Sequence, residues 1–357
     1  MKNFRFNKIE QLNNLIKHQN DIIKKHNENI KKRNDIIKKH NEEVKERKQR
    51  DLYFHKNLYP ITFSIPESKL IDINETHTKT KIISSLIPGV LSTYIYNNET
   101  DYYNEYKKSF FATTTKKAGW DCLRHYEIIA NGCIPYFQHI ENCPENTLAL
   151  LPKNLIIEGN KLCEKYKNRN IGELIIDEID ECNTLIKKFV NYTKENLTTH
   201  KITEYILNKS NNKTAEKVLF LSGDNQPDYL RCLTLHGFKT VFGELCHDYP
   251  IITHLYKINN YDYSKLYGKG ITYTNLLERN LHNDNFDKTI TEDIINKKYD
   301  LIIYGSYHRG TPFFDLVTKY YNPSQVIFLC GEDIGGCCHY KHIELLNKGF
   351  TLFVREL

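Results

Sequence analysis

Apolar residues along the chain follow two different spacings. From about residue 52 onward, short continuous apolar runs alternate with stretches in which apolar residues recur every three or four positions. Continuous runs bounded by glycine or polar residues are typical of buried parallel strands, and the second spacing is typical of helices. The pattern therefore predicts an α/β protein with covered parallel sheets.

Two sets of strands are predicted, with a mainly helical stretch at 172–209 between them. The first set contains the runs at 58–66, 81–89, 109–113, 134–137 and 148–157. The second set contains the runs at 218–223, 238–242, 299–306, 325–333 and 350–354. Shorter helices are predicted at 120–130, 229–236 and 343–346. This division predicts two Rossmann-like units, 52–205 and 206–357, because a chain of 357 residues exceeds one ordinary core.

Residues 1–51 follow a different, seven-residue repeat. Isoleucine or valine recurs at Ile9, Ile16, Ile23, Ile30, Ile37 and Val44, and asparagine recurs at Asn13, Asn20, Asn27, Asn34 and Asn41. A sustained heptad predicts a left-handed coiled coil, and asparagine in the apolar layers sets its register at some cost in stability. We expect a parallel dimer; a single long helix in solvent or against the body is the alternative. The helix lacks the broad apolar face that membrane-surface helices use.

Charge and composition exclude several classes. The net charge of +6 is too small for a nucleic-acid-binding protein. No apolar run is long enough to span a bilayer. The ten cysteines are scattered, which favours reduced thiols and a cytoplasmic location. One cluster of cysteines and histidines contains Cys330, Cys337, Cys338, His339 and His342. Because its spacing is not that of structural zinc sites, no metal site is predicted.

The most informative segment runs from Lys116 to Phe137 and reads as loop, helix, tight turn and buried strand. Helix N-termini with nearby cations bind anions, so this segment predicts an anion site. The candidate binding residues are Lys116, Lys117, Gly119, Trp120, Arg124 and Glu127. The alternatives are a surface ion pair between Arg124 and Glu127, a core position for Trp120, and solvated lysines.

Arg124, Glu127, Cys133 and Pro135 have a spacing that resembles the donor-nucleotide segment of exostosin-type glycosyltransferases, over about residues 105–157. The resemblance implies a GT-B plan, in which donor and acceptor meet between two Rossmann-like units. It also implies a nucleotide diphosphate sugar as donor, with Arg124 at the diphosphate and Glu127 at ribose or sugar hydroxyls. In that family the segment lies in the later domain, whereas here an α/β unit follows it. Either the domain order is permuted or only a nucleotide-binding unit is shared.

Polar residues follow the strands of the second set and are expected along one edge of its sheet: Asp224, Ser306, His308, Arg309, Glu332 and Asp333. Asp224 is the first candidate for a general base and Glu332 the second. Caps of the following helices are the alternative role for both. No Asp-x-Asp sits in a strand-end loop, which favours a metal-independent enzyme without a cofactor.

The sequence therefore predicts a glycosyltransferase that moves a sugar from a nucleotide diphosphate sugar to a hydroxyl of a glycan or other acceptor. The alternative is a non-catalytic, coiled-coil-bearing structural or binding protein that keeps a degenerate sugar-nucleotide fold. Methyl transfer is disfavoured, because the strand-end loops hold no Gly-x-Gly-x-Gly cradle.

Overall fold

The computed structural model describes residues 17, 19–20, 23–39, 55–74, 78–333 and 339–357. The chain forms two compact units, Met1–Lys56 and Asn57–Leu357. The second unit is a mixed α/β structure with a six-stranded and a three-stranded sheet, and every strand pair in both sheets is parallel. The predicted α/β class with parallel sheets is therefore confirmed.

The described residues of the first unit between 17 and 39 are helical. Residues 23–39 form one helix, α1, in which Ile23, Ile30 and Ile37 are 56%, 51% and 56% exposed. Most of the other heptad positions lie outside the described residues. The coiled coil and the self-association through it therefore stay predictions.

The smaller sheet has the order β2–β3–β4, with strands Lys81–Ile83, Ser109–Thr113 and Ile134–Tyr136. Its helices are α2 (Glu99–Lys107), before β3, and α3 (Leu123–Ala130), between β3 and β4. Asn131 caps α3, and Gly132 adopts a positive φ of 62°, as predicted for this turn. The strand–helix–strand unit is confirmed, although the helix begins at Leu123 rather than at Trp120.

Three helices follow the smaller sheet: α4 (Lys153–Tyr166), α5 (Ile176–Asn196) and α6 (Thr199–Lys209). The helices α5 and α6 confirm the helical stretch predicted at 172–209. The strand predicted within 148–157 is wrong. Pro152 lies immediately before α4, where its missing N–H breaks no helical hydrogen bond. Buried Ile156, Gly159 and Leu162 then continue at helical spacing.

The larger sheet has the order β1–β9–β8–β7–β5–β6. Its strands are β1 (Leu58–Pro60), β5 (Val218–Leu221), β6 (Cys246–Tyr249), β7 (Leu301–Tyr304), β8 (Val326–Cys330) and β9 (Thr351–Val354). Counted from β5, the order is 2-1-3-4-5, a doubly wound arrangement that reverses direction between β5 and β7. Ligands of such sheets bind beyond the carboxyl ends of the strands at that reversal.

The helices beside this sheet are α7 (Tyr229–Phe242), α8 (Asp284–Ile295), α9 (Phe314–Tyr320) and α10 (His339–Asn347). The strand predicted at 238–242 is wrong, because α7 continues through Gly237 to Phe242. Gly237 is not a turn residue there. A Cβ at Gly237 would lie 2.8 Å from the carbonyl carbon of Thr199 in α6, so glycine permits the two helices to approach.

One continuous buried apolar cluster includes Phe111 of β3 and Ile303 of β7. Residue 205 lies inside α6, which packs against α7. The strand β1, from the early part of the chain, pairs with β9 at the edge of the larger sheet. Both sheets thus belong to one compact unit, and separate domains at 52–205 and 206–357 stay a prediction.

Within the part of the chain that the structure describes, no helix has the length and apolar character required to cross a membrane. Cys133 and Cys163 are buried free thiols. Cys330, at the end of β8, is disulfide-bonded, so the prediction of a reduced thiol is wrong at that position.

Candidate functional site

A cavity of about 990 Å³ is lined by residues that follow β3 in the smaller sheet and β5, β7, β8 and β9 in the larger sheet. The carboxyl ends of parallel strands from both sheets therefore contribute to one binding space. A volume of this size accommodates a ligand of nucleotide dimensions. Arg124 and Glu127 both line it, as the sequence predicts.

Arg124, in the first turn of α3, brings to the cavity wall a guanidinium of which two nitrogen atoms have no hydrogen-bond partner among the described residues. Its Nε and Nη1 atoms are buried and form no hydrogen bond with any described residue. The guanidinium carbon lies 5.9 Å from the centre of the Tyr94 ring. Burying a cation away from water without a partner is costly, and an anionic ligand would remove that cost. The surface ion pair with Glu127 does not form.

Glu127 lies one turn further along α3 and is held by the protein itself. Its carboxylate accepts hydrogen bonds from the Tyr102 hydroxyl at 2.8 Å and from the Thr272 hydroxyl at 2.7 Å. Burial raises the pKa of Glu127 above its ordinary value. Both carboxylate oxygens of Glu127 thus already have protein partners. Glu127 therefore connects Tyr102 and Thr272 in the cavity wall and is also a candidate ligand contact.

The other predicted donor contacts are divided between the cavity and its surroundings. Lys117 and Gly119 line the cavity, and Lys116 is exposed with its ammonium 5.1 Å from the Trp120 ring centre. Trp120 packs against Phe137, with ring centres 6.0 Å apart, and does not belong to the cavity lining. The structure therefore brings Lys117, Gly119, Arg124 and Glu127 together and leaves Lys116 and Trp120 outside.

Glu356, just after β9, occupies part of the predicted anion site. Its carboxylate accepts hydrogen bonds from the backbone N–H groups of Trp120 at 3.1 Å and Asp121 at 2.9 Å. A Cβ at Gly119 would lie 2.6 Å from the Asp333 carboxylate, so only glycine leaves room for this arrangement. The N–H groups ahead of α3 thus bind an internal carboxylate, whereas Arg124 Nε and Nη1 have no such partner among the described residues.

Arg355 joins the loop after β3 to the end of the larger sheet. Its guanidinium donates to the Asp121 carbonyl at 2.7 Å and to the Glu356 carboxylate at 2.8 Å, and it forms an ion pair with Asp333. The side chain is buried and lies over the Phe63 ring, with 4.6 Å between the guanidinium carbon and the ring centre. This network holds the two sheet edges that form the cavity.

Asp121 is a buried carboxylic acid in the cavity wall. It accepts hydrogen bonds from the Phe63 N–H at 2.7 Å and from the Tyr126 hydroxyl at 3.0 Å. Burial raises the pKa of Asp121 from 3.8 to about 7, against the opposing charge of Arg355. Groups with such displaced pKa values in a cleft are candidates for proton transfer.

His308, after β7, lies between two carboxylates on the opposite side of the lining. Its Nε2 is 3.6 Å from Asp228 and 3.8 Å from Glu332, and its Nδ1 has no hydrogen-bond partner among the described residues. Burial lowers the pKa of His308 below its ordinary value, which favours the neutral ring. Arg309 Nε, 2.8 Å from Asp228, holds the carboxylate beside this ring. A neutral histidine next to a fixed carboxylate can accept a proton.

The two predicted base candidates differ in position. Asp224 forms an ion pair with Arg231 at 3.0 Å and caps its own loop through the Gln226 N–H, and it is absent from the cavity lining. Glu332 lines the cavity beside His308. The catalytic role of each stays a prediction.

Sequence reasoning placed His308 at the correct sheet edge without assigning it a role, and it did not single out Asp121, Arg355 or Glu356. Asp121 could have been found, because an acid directly before a helix in the motif is a local signal. Arg355 and Glu356 could not, since they meet the loop after β3 across 235 residues.

Comparison with protein-family models, with curated proteins and with solved structures finds no significant match for this chain.

Proposed function

We propose that the cavity binds a nucleotide diphosphate sugar and that the protein transfers the sugar to an acceptor hydroxyl. In this proposal the two sheet edges correspond to the two sides of a GT-B-like cleft, and the resemblance of the Arg124 segment to exostosin-type glycosyltransferases reflects a shared donor site. The parallel sheets and the position of the cavity support a nucleotide ligand but leave the sugar and acceptor open.

The observation that carries the proposal is the guanidinium of Arg124, whose buried Nε and Nη1 have no hydrogen-bond partner among the described residues. Two other cations of the cavity wall are paired with the protein: Lys269 donates to the Tyr96 carbonyl at 2.6 Å and Arg309 to Asp228 at 2.8 Å. A diphosphate oxygen offers charge-assisted hydrogen bonds of the kind that arginine forms with phosphate. Tyr229 and Tyr267 also line the cavity and provide aromatic surface for a base or sugar ring.

The proposed reaction exchanges one bond at the anomeric carbon and transfers one proton. The acceptor oxygen attacks the anomeric carbon of the donor, and the bond from that carbon to the diphosphate oxygen breaks with both electrons leaving on the diphosphate. Arg124 stabilises the charge that develops there. His308 accepts the acceptor's proton, and Asp228 stabilises the resulting imidazolium. Glu332 and Asp224 remain the carboxylates that could replace His308 in this step.

A second candidate is a binding protein that keeps the fold without catalysis. The occupied N–H groups of Trp120 and Asp121 and the paired oxygens of Glu127 favour it, because two groups that could contact a donor already bind the protein. This reading predicts nucleotide binding without turnover.

Arg124→Met tests the proposal, because methionine keeps an unbranched side chain and removes the charge. With the full chain, a calorimetric panel of nucleoside diphosphates and nucleotide sugars should identify a ligand. Arg124→Met should weaken its affinity about 10- to 100-fold, since a hydrogen bond to a charged group contributes about 1.5–3 kcal/mol. The unliganded variant should melt at the same temperature or higher, because an unpaired buried charge is gone.

Arg169→Met is the matched control. Arg169 forms an ion pair at 2.7 Å with Glu178 of α5, and neither residue lines the cavity. It should leave nucleotide affinity unchanged. His308→Gln should keep donor affinity and reduce sugar transfer about 100-fold or more, as expected for a lost general base. Unchanged donor affinity in Arg124→Met would refute the donor site. Full turnover in His308→Gln would show that another residue is the general base. Glu332→Gln and Asp224→Asn would then test the two predicted carboxylates.

A further inference from the structure

His282, just before α8, is a buried histidine beside two carboxylates. The residue is 3% exposed, and its Nε2 forms no hydrogen bond in the described part of the chain. The nearest oxygens belong to two carboxylates of the first turn of α8, Asp284 Oδ1 at 3.4 Å and Asp287 Oδ2 at 3.3 Å. The three ligand-type atoms lie within 4.8 Å of one another. None of these residues lines the cavity.

We propose that His282, Asp284 and Asp287 bind a divalent transition-metal cation of the zinc type. Zinc bonds to histidine nitrogen and carboxylate oxygen are about 2.0–2.2 Å long, so two ligands of a tetrahedral ion lie about 3.3–3.5 Å apart. The Nε2–oxygen distances of 3.4 and 3.3 Å match this separation. One nitrogen and two carboxylate oxygens favour zinc over magnesium, which prefers oxygen ligands and water.

The residues behind the site orient the His282 ring. Its Nδ1 lies 3.1 Å from Asp248 Oδ1, and Lys239 Nζ lies 2.8 Å from the same carboxylate. A carboxylate that receives the Nδ1 hydrogen leaves the Nε2 lone pair free, as in carboxylate–histidine–metal arrangements. Asp287 is oriented similarly, because its Oδ1 is 2.9 Å from His247 Nε2 while Oδ2 faces His282.

The exposure of the site also suits a cation. Three carboxylates lie there, Asp248, Asp284 and Asp287, with the cations Lys239 and Lys288 nearby and Arg279 paired with Asp284 at 2.7 Å. The side chains of Asp287 and Asp284 are 27% and 67% exposed, so water can complete the coordination from the open side. A bound ion would join the start of α8 to Asp248 of β6 through His282 and thereby stabilise the edge of the larger sheet.

The competing explanation is a doubly protonated His282 that forms an ion pair with both aspartates. It needs no metal and predicts that the stripped protein and the metal-treated protein melt at the same temperature. The two explanations are therefore separable by metal content and by stability.

The test uses the full chain, stripped with a chelator and titrated with Co²⁺ and then Zn²⁺. The expected result is one bound equivalent of metal per chain, a visible Co²⁺ absorption of low-symmetry coordination that Zn²⁺ displaces, and a higher melting temperature. Asp284→Asn lies at an exposed position, where misfolding is not expected. Because it removes a ligand, it should weaken Zn²⁺ binding more than the loss of a residue that only orients a ligand, which typically costs about 10- to 100-fold. His282→Gln should abolish the Co²⁺ band.

His200→Gln is the matched control, because His200 and Glu204 form an exposed pair at 3.0 Å on α6 that could bind metal adventitiously. Metal binding should survive this change. The proposal is overturned if the wild type binds neither Co²⁺ nor Zn²⁺, if Mg²⁺ alone raises the melting temperature, or if Asp284→Asn and His282→Gln keep the wild-type stoichiometry and affinity.

Discussion

Replacing Asp121 with asparagine isolates the cost of burying a carboxylate in the cavity wall. Asp121 accepts hydrogen bonds from the Phe63 N–H and the Tyr126 hydroxyl. An asparagine carbonyl can keep the first bond, and its amide can donate to the Tyr126 oxygen. The substitution therefore removes an ionisable group with little change in shape.

The sign and size of the effect follow from the pKa of Asp121, which burial raises from 3.8 to about 7. Between these two values the unfolded chain has released a proton that the folded protein still holds, so the free energy of unfolding falls as the pH rises. Below about pH 4 the cost is absent. Above about pH 7 it is complete, at about 4 kcal/mol at most, since one pKa unit corresponds to about 1.4 kcal/mol.

Urea unfolding of both proteins at pH 5 and pH 8, followed by circular dichroism, measures this contribution. The wild type should lose about 2–3 kcal/mol more stability than Asp121→Asn between these pH values, from the same pKa difference. Asp180→Asn, on the exposed side of α5, is the control and should keep the wild-type pH dependence. Equal pH dependence of the wild type and Asp121→Asn would refute the reasoning, because Asp121 would then be ionised alike in both states.

Two further predictions concern folding and assembly. Gly237→Ala should lower the free energy of unfolding in urea by about 1–3 kcal/mol, because the new methyl group meets the Thr199 backbone where α6 approaches α7. An unfolding free energy equal to that of the wild type would mean that the two helices separate freely. Deleting residues 1–51 should give a folded but smaller particle in light scattering, because the heptad isoleucines are removed with the segment. If the full-length and the truncated chain are both monomers, the coiled coil is contradicted.

Much of the fold is readable from short windows of sequence. The strands β3, β5, β7, β8 and β9 coincide with continuous apolar runs, and the Asn131–Gly132 turn marks the end of α3. The two wrong strand predictions arise at a proline and a glycine, which end helices in some contexts and occur at or within a helix here. Pro152 precedes a helix rather than a strand, and Gly237 permits helix packing rather than a turn.

The candidate site likewise has some features that the local sequence predicts and others that depend on distant residues. The motif around Arg124 and the strand-end position of His308 are local features, so the sequence indicated both. Whether Arg124 would be paired, and which N–H groups would be open, depended on distant residues. Glu356 reaches the Trp120 and Asp121 N–H groups from the far end of the chain, whereas nothing reaches Arg124 Nε and Nη1 within the described residues.

The sequence by itself determined the α/β class, the parallel strands and the helix that presents Arg124, because periodicity and turn residues act over a few neighbouring positions. Only the tertiary structure decided that Asp224 is paired outside the cavity, that His308 stands between Asp228 and Glu332, and that His282 faces two aspartates with a free nitrogen. The physical reason is that pairing and desolvation depend on which residues the fold brings within a few ångströms, and beyond a few neighbouring positions the separation along the chain does not give that distance.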